Sequence, residues 1–371
     1  MQLGIVGLPN VGKSTLFKAL TNKEVEVSNY PFCTISSNVG IVEVPDERLG
    51  KLSALVNPEK VTPAVIEFID IAGLVKGAHK GEGLGNQFLS HIREVSAIIH
   101  LIRLFVNDDI AHIEGEINSV RDAQIVNLEL ILADLATVEK RLEKVKRMLK
   151  TGDKRCKEEV ELLGKIREQL NKEEAVRRMD LSEEERIRIK EFSLLTSKPV
   201  IYVANVGEED LSKGRGEPLS SPDSLSQLIS WARKEDKSEV IPLCAKLEEE
   251  LRELPPKERG PFLQELGIGE SGLDKLVKLS YKLLNLITFF TIVGEKEVRA
   301  WTVKSGTKAL KAAGKVHSDM EKGFIKAEVI PLSSLIKSNS WLEAREKGLI
   351  RAEGKDYLIQ DGDVVCFRFK V

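Results

Sequence analysis

Apolar residues fall along this 371-residue chain in three successive textures. In the first, short runs bounded by turn residues recur at Leu3 to Val6, Val39 to Val44, Val65 to Ile69 and Ala97 to Leu101. They return at Val200 to Ala204 and Val240 to Leu243. Runs this short and this uniformly apolar predict buried strands. Helical stretches lie between most of them, so the expected architecture is an α/β layer with a largely parallel sheet.

The second texture begins near Asn118. Leu128, Ile131, Leu135, Val138, Leu142, Val145 and Leu149 repeat at alternating steps of three and four, which is a heptad seam on one long helix. Glu139, Lys140, Glu143 and Lys144 fill the other faces, as on a solvated coiled-coil surface. Thr151-Gly152-Asp153 breaks the helix, and Val160, Leu163, Ile166 and Leu170 predict a returning arm. A further helix opens at Ser182, with Glu185 as its capping-box partner. Because this hairpin lies between the fourth and fifth expected strands, it reads as an insertion. The third texture starts near Leu286. Ile287 to Val293 and Val298 to Val303 predict strands, a short helix follows near Lys308 to Ala313, and Phe367, Phe369 and Val371 alternate with Arg368 and Lys370 in a last, half-buried strand. These features predict a small α+β domain.

Charge narrows the partners. Lysine plus arginine (56) nearly cancels aspartate plus glutamate (58), so no global basic field draws in nucleic acid and no DNA partner is expected. Any RNA contact must use a local patch, for which Lys304, Lys308, Lys311 and Lys315 are candidates. Cys33, Cys156, Cys244 and Cys366 fit neither a zinc site nor a disulfide framework, and reduced thiols in a cytoplasmic protein are expected. The first strand begins at Gln2, which argues against a signal peptide, and no apolar run is long enough to span a bilayer.

The chemistry is carried by Gly7-Leu8-Pro9-Asn10-Val11-Gly12-Lys13-Ser14, which matches the G-x-x-x-x-G-K-[ST] phosphate loop. It follows an apolar strand and precedes the helical pattern from Thr15 to Leu20, the context the motif requires. The glycines let the backbone curl around phosphate oxygens, and the helix start adds a positive dipole end. Asn10 to Thr15 are the expected phosphate contacts; Lys13 would reach the β- and γ-phosphates and Ser14 would ligate Mg²⁺. Asp70-Ile71-Ala72-Gly73 follows a strand in the place of a D-x-x-G switch, with Asp70 on Mg²⁺ through water and the Gly73 N–H sensing the γ-phosphate. Between the two motifs, Thr34 is the candidate second protein oxygen for Mg²⁺.

These motifs, together with the glycine-rich run from Gly73 to Asn86 and Asn107-Asp108-Asp109-Ile110-Ala111-His112, resemble the YchF family, in the Obg-related branch of translation-factor P-loop NTPases. The resemblance covers essentially the whole chain, and the stretches Trp301 to Gly306, Ala312 to His317 and Glu321 to Phe324 are similar to a ubiquitin-like TGS domain. One departure is Ser36-Ser37-Asn38, where family members often carry Glu-Pro-Asn. The resemblance implies a Ras-like, Obg-type P-loop domain over residues 1–117 and 196–284, a coiled-coil insertion over 118–195 and a β-grasp TGS domain over 285–371. It also implies nucleotide hydrolysis coupled to binding of the ribosome or its large subunit.

Two details bear on mechanism. The glutamine that orients water in many GTPases is replaced by Leu74, so another group must act. His112 is the first candidate and His79 the second, since imidazole titrates near neutrality. Asn10 stands where related NTPases help hold a monovalent cation, which makes K⁺ a second candidate cofactor beside Mg²⁺. Guanine selection normally uses N-K-x-D after the strand corresponding to Val200 to Ala204. Here that strand leads into Asn205-Val206-Gly207-Glu208, similar to the N-x-x-E of the family, with Asn205, Val206 and Glu208 at the base. ATP is therefore expected over GTP. An Obg-type GTPase, and a nucleotide-gated binding module with little turnover, remain the alternatives.

Overall fold

The computed structural model describes residues 1–21, 38–71, 84–107, 109, 110, 112, 113, 115–148, 154–212 and 222–370. In chain order the first elements are β1 (Gln2–Val6), α1 (Lys13–Thr21), β2 (Val39–Glu43), α2 (Glu47–Val56), β3 (Lys60–Thr62), β4 (Val65–Asp70), α3 (Leu84–Glu94) and β5 (Ala97–Arg103). Then come α4 (Ser119–Met148), α5 (Lys154–Asn171), α6 (Glu183–Phe192), β6 (Val200–Asn205), α7 (Glu208–Ser212), α8 (Pro222–Glu235), β7 (Glu239–Leu243), α9 (Ala245–Glu253), α10 (Pro256–Glu265) and α11 (Gly272–Leu283). The C-terminal part contains β8 (Leu286–Val293), β9 (Glu297–Lys304), α12 (Ala309–Val316), α13 (Ser318–Lys322), β10 (Phe324–Pro331), α14 (Leu332–Lys337), α15 (Trp341–Glu346), β11 (Arg351–Glu353) and β12 (Asp363–Phe369).

The described residues form two compact units, one holding those of Met1–Glu24, Ile35–Gly40 and Glu67–Lys275, the other those of Ile41–Ile66 and Leu276–Val371. In the first, parallel strands run in the order β4-β1-β5-β6-β7. β5 and β6 are buried at every position, and β1 from Leu3 onward, as central strands of a parallel sheet must be. The chain leaves β1 at the carboxyl end of the sheet, where α/β proteins build their ligand sites.

The inserted helices pack as a hairpin. Ile131, Val138, Leu142 and Val145 of α4 meet Leu163, Ile166 and Leu170 of α5, with Ile189 and Phe192 of α6 closing the cluster. Leu128, expected on this seam, is 37% exposed, because the first turns of α4 bury Ala123, Val126 and Leu130 instead. Leu149 and the Thr151-Gly152-Asp153 break lie outside the described residues. The capping box at Ser182 is present, with both the Ser182 N–H to Glu185 (3.0 Å) and the Glu185 N–H to Ser182 Oγ (3.2 Å) bonds made. The hairpin is tied to the segment leading into β6 by Asp134, which is fully buried and accepts from the Leu195 N–H (2.9 Å), the Thr196 N–H (2.8 Å) and the Thr196 hydroxyl (2.7 Å).

The second unit is a β-grasp sheet in the order β11-β10-β12-β8-β9-β3. Ala309, Ala312 and Ala313 bring α12 close against Phe289, Trp301 and Phe367, small residues permitting the approach. Ile41–Ile66, expected within the nucleotide-binding domain, falls in this unit: β3 runs parallel to β9, and Arg48 donates to Asp361 at 2.7 Å.

Replacing Asp134 with alanine leaves three buried donors without an acceptor. A loss of about 2–5 kcal/mol in urea unfolding is expected; a change under about 0.5 kcal/mol would show that the tether does not matter.

Candidate functional site

The loop between β1 and α1 is shaped by two close approaches. A Cβ on Gly7 would sit 2.4 Å from the Leu101 carbonyl oxygen of β5. Gly12 has φ +95°, and a Cβ there would meet Asn205 Nδ2 at 2.4 Å. Asn10 also takes a left-handed backbone, at φ 62°. The loop therefore lies directly on the ends of the central strands, with α1 starting beneath it.

Asn205 clamps this arrangement. Its Nδ2 donates to the Val11 carbonyl (2.9 Å), and its Oδ1 accepts from the Ala245 N–H at the start of α9 (3.0 Å). Asparagine alone among short side chains offers a donor and an acceptor on one planar group. The side chain is buried, so the structure places Asn205 as a brace between the phosphate loop and the loop after β7. Val11, an expected phosphate contact, is buried and does not line the cavity over the loop.

Lys13 Nζ donates to the Gly7 and Leu8 carbonyls, at 3.1 and 2.7 Å, which aims the ammonium along the loop. Burial lowers its pKa to about 8, with attraction to Asp70 working the other way. Burial raises the Asp70 carboxyl above its ordinary value, with Lys13 drawing it down. Among the described residues, Asp70 Oδ1 is buried with no hydrogen-bond partner. Ser14 is exposed on the first turn of α1. A hydroxyl and an orphaned carboxylate oxygen suit a magnesium ion held jointly by protein and phosphate, since Mg²⁺ keeps several waters and needs few protein oxygens. Among the described residues no cluster of three or more His, Cys, Asp or Glu offers a protein-only cage. The expected partners Thr34 and Gly73, and the second histidine candidate His79, lie outside the described residues.

A cavity of about 950 Å³ opens over the loop. Asn10 and Gly12 to Thr15 line its phosphate end; Phe105, Val106, Asn107 and Ile110 form one wall and residues 205–210 the other. Cys244, Ala245 and Lys246 border it, as expected of a base-pocket loop. Within the second wall Val206 is buried and its N–H is bonded to Leu243, whereas Glu208 is exposed to the cavity.

His112 stands elsewhere. It does not line the cavity; its Nε2 lies 2.8 Å from Asp122 Oδ2 on the first turn of α4, and both side chains are buried. Asp122 is further held by Arg121 at 3.1 Å. The expected lysine patch is also weaker than its sequence suggests: Lys308 pairs with Asp356 and Lys311 with Glu321. The wall from Phe105 to Ile110 was not among the expected binding residues. The one sequence signal for it is a loop carrying Phe105, Val106 and Ile110 straight after a buried strand.

Comparison with known proteins bears on the family and the fold. Residues 2–134 match the family model described as 50S ribosome-binding GTPase, and residues 286–370 match the YchF GTPase C-terminal model, described as a protein of unknown function (DUF933). The ribosome-binding ATPase YchF of Bacillus subtilis is 52% identical over 368 residues, covering 99% of both chains. The ribosome-binding ATPase YchF of Escherichia coli O157:H7 is 49% identical with the same coverage. The solved structure of the Schizosaccharomyces pombe YchF GTPase superposes with a TM-score of 0.88 at 36% identity, covering 99% of this chain and 97% of that one.

The lowered Lys13 pKa sets a pH dependence. Below about 8 the ammonium is present in the free protein and attracts a triphosphate; as pH rises through 8 it is lost, and binding must recover the proton. Triphosphate affinity should therefore fall above pH 8, by up to about tenfold per unit, in titrations from about pH 7 to 9.5. The Lys13→Ala protein should show no such slope; an identical slope in it would contradict the assignment.

Proposed function

The chain belongs to the YchF family of P-loop nucleotide hydrolases, and from that premise we propose that it is a cytoplasmic, ribosome-associated ATPase. In this reading it hydrolyses ATP to ADP and phosphate, accepts GTP less well, binds the ribosome or its large subunit, and serves regulation of translation or a stress response. Residues 1–117 and 196–284, apart from the 41–66 segment that clusters with the C-terminal unit, handle the nucleotide, 118–195 form the helical arm, and 285–371 the TGS domain.

The observation that carries the choice of base is the wall from Asn205 to Glu208. With Asn205 bracing the phosphate loop, Glu208 and the backbone from Val206 to Gly207 remain to meet the base. Valine stands where the guanine-selective motif has lysine, and glutamate, one methylene longer, where it has aspartate. The bidentate grip on guanine is thereby lost, while a carboxylate acceptor near an adenine amino group is kept.

Ser14 and Thr34 would hold Mg²⁺ directly and Asp70 through water; the ion, when bound, neutralises charge on the β- and γ-phosphates. Lys13 would leave the Gly7 and Leu8 carbonyls for the phosphate oxygens and stabilise the charge that develops during transfer. Asn10 would help hold K⁺. Since Leu74 cannot orient water, we assign that role to His112, whose ring is held by the contact of its Nε2 with Asp122. Its use requires the loop after β5 to turn the imidazole toward the phosphates.

A GTPase reading is favoured by the match of residues 2–134 to a 50S ribosome-binding GTPase model and by the likeness to the Schizosaccharomyces pombe YchF GTPase. Titration of the full-length protein with labelled ATP and GTP separates the two. ATP should bind at least about tenfold more tightly, and a clear GTP preference would overturn the ATPase assignment. Lys13→Ala should abolish measurable hydrolysis in a folded protein; wild-type turnover would mean the reaction occurs elsewhere. His112→Ala should lower kcat by about tenfold or more, with affinity changed less than about twofold, and an unchanged kcat would leave the ring a structural brace.

A further inference from the structure

β5 is buried throughout and ends in a charge: Arg103 is only 2% exposed. A buried guanidinium is tolerated where its donors are satisfied. Its Nε donates to the Phe105 carbonyl (3.1 Å), Nη1 to the Ile110 carbonyl (2.9 Å) and Nη2 to the Asn107 carbonyl (3.1 Å). Its central carbon lies 4.5 Å from the centre of the Phe105 ring. Among the described residues no carboxylate forms an ion pair with it. Every one of these contacts therefore falls on the loop that walls the nucleotide cavity.

The start of that loop is held separately, the Leu104 and Phe105 N–H groups both donating to the Asn205 carbonyl (2.8 and 3.1 Å). With three carbonyls collected on the Arg103 side, the loop turns Phe105, Val106 and Ile110 to the cavity. Val106 is 68% exposed and Ile110 37%, an apolar surface suited to a flat heterocycle. Lysine cannot replace this, because one nitrogen does not span three carbonyls as a planar fork does.

We propose that Arg103 is the positioning residue for the base-side wall of the cavity and so sets affinity for the purine part of the nucleotide. The inference rests on reading the cavity as a nucleotide site, so its test pairs ATP with inorganic tripolyphosphate, which has no base. In full-length Arg103→Ala and Arg103→Lys proteins, the KM for ATP should rise about tenfold, while kcat and inhibition by tripolyphosphate change less than about threefold. A general loss of structure would weaken both ligands together. If the alanine variant does not fold, the lysine variant decides. Wild-type KM in Arg103→Lys, or equal loss of ATP and tripolyphosphate, would overturn the proposal. Lys13→Ala, which does not turn over and is therefore read by equilibrium titration with ATP and tripolyphosphate beside the other variants, serves as the control and should weaken both ligands. If it weakens neither, the cavity assignment fails and the inference with it; if it weakens both while Arg103 variants bind ATP normally, the inference alone fails.

Discussion

The nucleotide site depends on how closely the phosphate loop lies on the strands beneath it. At Gly7 and Gly12 the neighbouring atoms stand 2.4 Å from where a Cβ would be, so any side chain there would push the loop off β5 or off Asn205. From that contact the rest follows. The Asn205 amide can reach the Val11 carbonyl only because Gly12 is bare, and the same amide fixes the start of α9. Its backbone carbonyl fixes the start of the loop after β5. One residue at the end of β6 thus ties together the phosphate loop and two segments bordering the base cavity.

Electrostatics then decides what enters. Lys13 and Asp70 are both partly desolvated, and burial moves each toward its neutral form. A triphosphate with a divalent cation would reverse both shifts, supplying negative charge to the lysine and positive charge to the carboxylate. This is preorganisation in the sense that matters for phosphoryl chemistry: the groups are already placed, and the ligand completes their pairing.

Much of this was legible in the sequence because it is local. The strands at the core of the sheet are continuous apolar runs, the phosphate loop is a contiguous motif between strand and helix, and the Ser182–Glu185 box spans one turn. What escaped is non-local. β3 has three residues, and its partner strand lies far downstream, with Thr62 bonding Glu297 across 235 positions. β10 is interrupted by Lys326 and Glu328 and gives the shared core Ala327, Val329 and, half-buried at its start, Phe324. Arg103 lies beyond the apolar run that predicted β5, yet it is buried, since its partners are backbone carbonyls that carry no sequence signature. The pairing of His112 with Asp122 is likewise a product of the fold, and no periodicity announces it.

The central claim is that ATP lies in the cavity over Gly7 to Thr15, with its base between the loop after β5 and the one after β6. Photocrosslinking the full-length protein with an azido-substituted ATP, followed by peptide mapping, tests it most directly. Adducts are predicted within residues 105–110, 205–210 or 244–246, and they should disappear when unlabelled ATP is added. Competed adducts confined to another part of the chain would contradict the account.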